Sequence, residues 1–287
     1  MRRRPPDRLR PRRALQCRLL TVVLAAGVLT ACGVSSTATD VGQNPVRIAA
    51  AASLADVLQD LEPLWREGHE RPWELNLAGS NVLARQIEAA STADLFLSAD
   101  ARWVESLVAA GRVAADDHRT LFGNRLVLVT RRDAALAIDA PLDLVGASYR
   151  HLAVADPVAV PAGRYARAQL EAISAPGREA EDAPRSLWQV VEQRIVPTLD
   201  VRAALGLVAS DPEIVGLVYR TDALGSKTVA IRHVFEPVVP IRYFAALVAE
   251  GDRPAAQSVL EFLDSPRARE VVRRHGFEVG DAGSAAR

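Results

Sequence analysis

The chain has few cysteines, and none lies after residue 32. Cys17 and Cys32 are its two cysteines, both within the first 32 residues. The rest of the chain therefore has no internal disulfide and no thiolate metal site. The five histidines are scattered without the spacings typical of zinc or iron ligands. No P-loop or nucleophile-elbow motif is present either, so the sequence gives no positive sign of an enzyme.

The chain also lacks an excess of charge of either sign, with 35 basic and 35 acidic residues. Residues 1–31 carry eight arginines and one aspartate, so the chain beyond them has 27 basic and 34 acidic residues, a net charge of −7. A mildly acidic surface argues against a nucleic-acid partner. An anion bound by this chain must therefore be held by local dipoles rather than by the overall field.

Long apolar runs are missing as well. The uncharged run from Leu19 to Leu29 has 11 residues, whereas about 20 are needed to span a bilayer. It follows an arginine-rich segment and precedes Leu29-Thr-Ala-Cys32-Gly, which resembles a bacterial lipoprotein processing box. We therefore predict a signal peptide over 1–31, lipidation of Cys32 and a flexible tether over 32–45. An ordinary signal peptide with a chance cysteine is the alternative.

Beyond the tether, short apolar runs alternate with segments of helical period. This alternation predicts an α/β fold with largely parallel sheets. The polar segment 174–188 is predicted to be a surface loop or a short insertion. The predicted strands are 46–52, 74–78, 94–98, 126–130, 151–155, 215–219, 229–234 and 243–248, and the predicted helices are 53–61, 81–90, 103–110, 163–172, 201–209, 255–263 and 268–275.

Four predicted strand-to-helix junctions consist of small or polar residues: 52–53, 78–81, 160–163 and 199–201. In the first, Ser53 stands where an N-cap belongs. Helix N-termini present unpaired amides and a partial positive charge, so several of them together form an anion site without lysine or arginine. Ligands collect at the carboxyl ends of strands in open α/β sheets. A fully deprotonated dianion suits such an all-donor site best, although each junction alone is more often only a cap.

Nine segments together resemble the periplasmic molybdate-binding proteins of ATP-binding-cassette (ABC) importers. The resemblance covers roughly residues 46–279 in order, so it is more specific than any single motif. The matching segments are AAAASLAD (49–56), GSNVLARQI (79–87), ADLFLSAD (93–100), GNRLV (123–127), ADP (155–157), VPAGRYA (160–166), DVRAAL (200–205), GLVYRTDA (216–223) and HGF (275–277).

The resemblance implies a type II periplasmic-binding-protein fold of class α/β, with two lobes that are each a mainly parallel sheet flanked by helices. Lobe I would comprise 46–127 plus 243–280, and lobe II would comprise 128–242. Hinge strands near 126–130 and 241–248 would join them, and 281–287 would be a disordered tail. The lobes would close on the anion.

The same resemblance implies molybdate, with tungstate as a second ligand, held by hydrogen bonds alone and delivered to the permease subunit of an ABC importer. It implies no catalytic residue, no cofactor, no side chain directly on the metal, and a monomer located outside the cytoplasm. Carried onto this chain, the donors are Ser53, Ser80, Ala162, Val201 and Tyr219. Tyr219 comes from the resemblance alone.

The chain departs from the family pattern at three positions: Gly79 and Asn81 stand where further serines are common, and Arg220 where a small residue is common. We expect Arg220 to point to solvent; the alternative is a position near the mouth of the pocket, where it would alter affinity. Sulfate, thiosulfate, phosphate or a small organic acid remain alternative ligands, although phosphate would require an acceptor carboxylate, and none is expected at the junctions. A secreted α/β enzyme or a sensor of the same fold are further alternatives.

Overall fold

The computed structural model describes residues 44–90, 92–176 and 184–280. The predicted signal peptide 1–31, the lipidation site Cys32, all but the end of the tether 32–45 and the tail 281–287 lie outside the described residues, and they stay predictions. Within the described ranges, no helix is long and apolar enough to cross a membrane.

The strands and helices alternate along the chain. The strands are β1 (Val46–Ala51), β2 (Trp73–Ala78), β3 (Leu95–Ser98), β4 (His118–Asn124), β5 (Leu126–Arg131), β6 (His151–Ala155), β7 (Ser174–Ala175), β8 (Arg185–Ser186), β9 (Ile195–Thr198), β10 (Ile214–Tyr219), β11 (Val229–Val234) and β12 (Ile241–Leu247). The α-helices are α1 (Ala55–Arg66), α2 (Ser80–Ala90), α3 (Ala101–Ala109), α4 (Asp143–Gly146), α5 (Pro161–Glu171), α6 (Leu187–Val191), α7 (Val201–Ser210), α8 (Arg220–Gly225), α9 (Arg253–Asp264) and α10 (Pro266–Arg274). Single 3-10 turns cover Ala52–Leu54 and Glu192–Arg194.

These strands form two five-stranded sheets. The first has the order β2-β1-β3-β12-β4, and the second has the order β11-β5-β10-β6-β9. We call residues 46–124 and 241–280 the first-sheet side, and residues 126–234 the second-sheet side. The helices flank both sheets, so the α/β class and the two-sheet architecture are confirmed. The boundaries of the two lobes stay a prediction.

Each sheet is mixed rather than mainly parallel, which corrects the expectation. In the described part of each sheet, two pairings are parallel and two are antiparallel. The physical reason is the way the chain changes sheets. Only Arg125 separates β4 from β5, which lie in different sheets, so no crossover helix fits between them. β12 then returns antiparallel between β3 and β4.

The predicted surface loop 174–188 is wrong at both ends. β7 pairs antiparallel with β8, and α6 begins at Leu187, whose side chain is buried together with that of Trp188. Ser186 caps this helix with a reciprocal capping box to Gln189. The apolar pair that follows a capping serine was therefore a helix signal within a polar stretch. Residues 177–183 lie outside the described residues.

The buried apolar faces follow the periodicities of the sequence. In α1 the buried residues Leu58, Leu61 and Trp65 lie three and four positions apart, and Val57 extends the same face. All six residues of β10 are buried. Fully burying one such side chain stabilises the fold by about 1.5–3 kcal/mol. This packing fixes the strand ends and the helix starts that follow them, where the candidate site lies.

Candidate anion-binding site

Segments that follow strands of both sheets line a small cavity. The first-sheet side contributes the ends of β1, β2 and β3, and the second-sheet side contributes the starts of α5 and α7 and the end of β10. All five residues that the resemblance named as donors line it. The lining residues are Ala51, Ala52, Ser53, Gly79, Ser80, Ala99, Val160, Pro161, Ala162, Asp200, Val201 and Tyr219.

Two helix N-termini from the second-sheet side reach the cavity. Pro161 and Ala162 are the first residues of α5, after an extended Val160. Val201 is the first residue of α7, and the Asp200 side chain caps that helix by accepting from the Ala203 amide at 2.9 Å. Amides in the first turn have no intrahelical acceptor. The Ala162 and Val201 amides are therefore suited to donate to an anion, assisted by the helix dipoles.

Ser53 is not the N-cap that the sequence suggested. It lies inside the 3-10 turn Ala52–Leu54, where no side-chain cap is formed. Its Oγ instead lies 2.8 Å from the hydroxyl of Tyr243 on β12. The hydroxyl therefore has a different role, because a capping serine accepts from the backbone whereas Ser53 lines the cavity.

A chain of buried hydrogen bonds supports the Ser53 hydroxyl. The Asn124 Oδ1 accepts from the Arg125 amide at 2.8 Å, so its Nδ2 is directed towards Thr221 and towards the Tyr243 hydroxyl, 3.3 Å away. The Tyr243 oxygen accepts this bond, so its own proton is available to Ser53. When Tyr243 donates to Ser53, the Ser53 proton can point into the cavity, and such chains strengthen one another.

Ser80 is prepared in a similar way. It begins α2, and its buried Oγ accepts a hydrogen bond from the Ala99 amide at 3.1 Å. A hydroxyl that already accepts still has one proton to donate. Both serines therefore present a donor to the same small space.

Tyr219 ends β10 with a side chain that is only 1% exposed. Among the described residues its hydroxyl has no hydrogen-bond partner. Burial, and then the proximity of Tyr243, raises the pKa of Tyr219 well above its usual value, so the phenol stays protonated and can donate. Buried hydroxyl groups are nearly always paired. An unpaired one at a cavity wall is free to donate to a ligand in that cavity.

The charge lining the cavity differs from the expectation in one respect. No lysine or arginine is among the described residues that line it, as expected, but Asp200 is. The expectation of no acid at the junctions was therefore wrong. One oxygen of Asp200 is already used to cap α7.

The three departures from the family pattern lie at or near the cavity. Gly79 lines it, whereas Asn81 and Arg220 do not. The expectation that Arg220 points to solvent was wrong, because this residue is only partly exposed and its guanidinium donates to the Gly276 carbonyl at 3.3 Å. Asn81 is buried in the first turn of α2.

Sequence reasoning missed the two residues that support Ser53. Tyr243 is separated from Ser53 by 190 positions, and Asn124 is separated from Tyr243 by 119. No local pattern connects residues at such separations. A signal for Asn124 was its place in GNRLV (123–127), one of the segments that carry the resemblance.

The chain is similar in sequence and in fold to known proteins. The family model for bacterial extracellular solute-binding proteins matches residues 46–278. The molybdate-binding protein ModA of Escherichia coli (strain K12) is 31% identical over 243 residues, which are 83% of this chain and 90% of that protein. The putative ABC transporter substrate-binding lipoprotein YvgL of Bacillus subtilis is 31% identical over 264 residues, 90% of this chain and 95% of that protein. The solved periplasmic molybdate-binding protein of Azotobacter vinelandii superposes with a TM-score of 0.69 at 18% identity, covering 82% of this chain and 99% of that one.

Proposed function

The chain belongs to the family of bacterial extracellular solute-binding proteins, and we propose that its ligand is molybdate, with tungstate as a second ligand. Relatives named for molybdate binding, at 31% identity over most of the chain, support this proposal. The charge pattern of the cavity supports it too, because hydrogen-bond donors converge there without a basic side chain. A site of converging donors, whose one lining acid Asp200 already caps α7, favours a dianion that has no proton to place.

The donors in this proposal are the hydroxyls of Ser53, Ser80 and Tyr219 and the amides of Ala162 and Val201. The observation that carries it is the Tyr219 hydroxyl, which is buried at the cavity wall with no partner among the described residues. An oxyanion in the cavity would supply the acceptor that this hydroxyl lacks. Metal–protein bonds play no part, since the metal enters as its oxyanion.

Binding in this proposal closes the protein around the anion. Lobe I (46–127 plus 243–280) holds Ser53 and Ser80, and lobe II (128–242) holds Ala162, Val201 and Tyr219. Because donors of both lobes must reach one anion, the ligand stabilises the closed arrangement. No covalent step is required, so the proposed role is capture and delivery rather than catalysis.

The proposed location is outside the cytoplasm, with Cys32 lipidated after removal of residues 1–31 and the protein held at the membrane as a monomer. The word lipoprotein in the name of the Bacillus subtilis relative supports this anchoring. The proposed partner is the permease subunit of an ABC importer, which would take the anion from the closed form.

Calorimetric titration tests the ligand. Residues 33–287 would be titrated with molybdate, tungstate, sulfate and phosphate at fixed ionic strength. We expect one-to-one binding of molybdate and tungstate, with sulfate and phosphate at least ~1000-fold weaker, roughly 4 kcal/mol. Preference for sulfate or phosphate, or no binding of molybdate and tungstate, would refute the molybdate assignment. Ser80→Ala should weaken binding, whereas Ser258→Ala, on α9 and outside the cavity, should not.

A further inference from the structure

Arg202 joins three helices, α7, α1 and α8, which contain or closely follow the proposed donors Val201, Ser53 and Tyr219. It follows Val201 in α7, and its Nη2 donates to Oδ2 of Asp56 at 2.8 Å while its Nε lies 2.6 Å from Oδ1 of Asp222. Asp56 lies in α1, three residues after Ser53, and Asp222 lies in α8, three residues after Tyr219. Arg202 does not line the cavity, so its ion pairs act on the positions of these helices and not directly on the anion.

The two connections of Arg202 differ in kind. Asp222 is fully buried and, like Arg202, belongs to the second-sheet side, so this pair fixes the guanidinium on its own side. Asp56 belongs to the first-sheet side, and its side chain is 39% exposed. When the two sides separate, water can replace the Arg202–Asp56 contact, while the buried contact to Asp222 stays. The Arg202–Asp56 contact is thus specific to the closed arrangement.

A second ion pair also joins the two sides. Arg164 lies two residues after Ala162 in α5, and its Nη1 pairs with Oδ2 of Asp100, the N-cap of α3 on the first-sheet side. In both cases the arginine follows, within two positions, the residue whose amide is proposed to bind the anion. The same placement in α5 and α7 argues against a chance surface contact.

We infer that Arg202 is a positioning residue that slows release of the bound anion by holding the start of α7 against α1 in the closed protein. The inference rests on the proposed function, because it concerns the anion that occupies this cavity. The Asp56–Arg202 contact forms as the protein closes, so its loss affects the dissociation rate and leaves the association rate unchanged.

The test is the release of radiolabelled molybdate into an excess of unlabelled molybdate by the wild-type chain and by Asp56→Asn. This variant leaves the buried Arg202–Asp222 pair intact, so folding is not at risk. We expect dissociation to become about fivefold faster, the upper range for a partly exposed ion pair, and its dependence on salt to weaken. The melting temperature of the anion-free protein should equal that of the wild type.

Glu67→Gln is the matched control, since Glu67 also pairs with an arginine, Arg267, but both belong to the first-sheet side. Its release rate should equal that of the wild type. An unchanged release rate in Asp56→Asn would overturn the inference, and so would equal destabilisation of the anion-free and anion-bound forms. Failure of the wild-type chain to bind molybdate, tungstate, sulfate or phosphate would overturn the proposed function and this inference together, and the wild-type titration alone reveals that case.

Discussion

Replacing Tyr219 by phenylalanine separates a ligand-binding hydroxyl from a structural one. The Tyr219 hydroxyl has no partner among the described residues, so its removal breaks no hydrogen bond of the described protein. An unpaired buried polar group destabilises a fold by about 1–3 kcal/mol. The free energy of unfolding of the anion-free variant should therefore equal or exceed that of the wild type.

The affinity for molybdate should change in the opposite direction. A hydrogen bond to a charged group contributes about 1.5–3 kcal/mol, which corresponds to a Kd about 10- to 150-fold higher for Tyr219→Phe. The two quantities are measured on the same samples, Kd by isothermal titration calorimetry and the free energy of unfolding by urea denaturation. The combination of weaker binding with undiminished stability is the specific prediction.

Two other tyrosines serve as controls. Tyr149 is buried but lies outside the cavity, so Tyr149→Phe should leave Kd unchanged. The Tyr243 hydroxyl bonds Ser53 and Asn124, so Tyr243→Phe should lower stability by about 0.5–1.5 kcal/mol per bond and weaken binding through Ser53. Wild-type affinity in Tyr219→Phe would refute the donor role, and a marked loss of stability would show that the hydroxyl is paired within the protein.

Three further predictions concern single positions. In Gly79→Ala the new Cβ would lie 2.6 Å from Asn81 Oδ1 and 3.2 Å from the Leu199 carbonyl on the other side of the cavity; titration should show weaker molybdate binding, and an unchanged Kd would contradict the close approach. In Gly163→Ala the Cβ would lie 2.0 Å from the Ala155 carbonyl, and urea denaturation should show a loss of at least about 1–3 kcal/mol. Burial raises the pKa of Asp222 from 3.8 to about 7, against the opposing effect of Arg202 and with the help of Asp56 and Asp200. The folded protein thus binds this proton more tightly than the unfolded chain, so the contribution of Asp222 to stability grows as the pH falls from about 7 towards 4. Asp222→Asn should remove that contribution, which is measured as the difference in the free energy of unfolding between pH 5 and pH 8. The same difference in the variant as in the wild type would contradict this prediction.

The general position of the site could be predicted from the sequence because helix starts are encoded locally. Small or polar residues between an apolar strand and an amphipathic helix identified all four junctions, and residues from each of them line the cavity. The role of Ser53 was misjudged, since a 3-10 turn that precedes α1 has no signature distinct from a cap. Its actual partner, Tyr243, comes from a distant strand.

The mixed character of the sheets could not be predicted from strand order alone. β4, with the sequence HRTLFGN, has exposed or half-exposed residues over its first four positions, so it lacks the apolar run expected of a buried strand. Once it is missed, the direct passage from β4 to β5 is missed as well. The Arg202 ion pairs, like the contact of Tyr243 with Ser53, could not be predicted, because they join residues far apart along the chain.

Anomalous diffraction at the molybdenum edge, from a crystal grown with molybdate, locates the bound anion. If Ser53, Ser80, Ala162, Val201 and Tyr219 hold it, one strong molybdenum peak will lie inside the cavity, with its oxygens about 2.7–3.1 Å from hydroxyl and amide donors of both sheet sides. A peak elsewhere, or a cavity without molybdenum in protein that binds the ion, would show that these residues do not hold it.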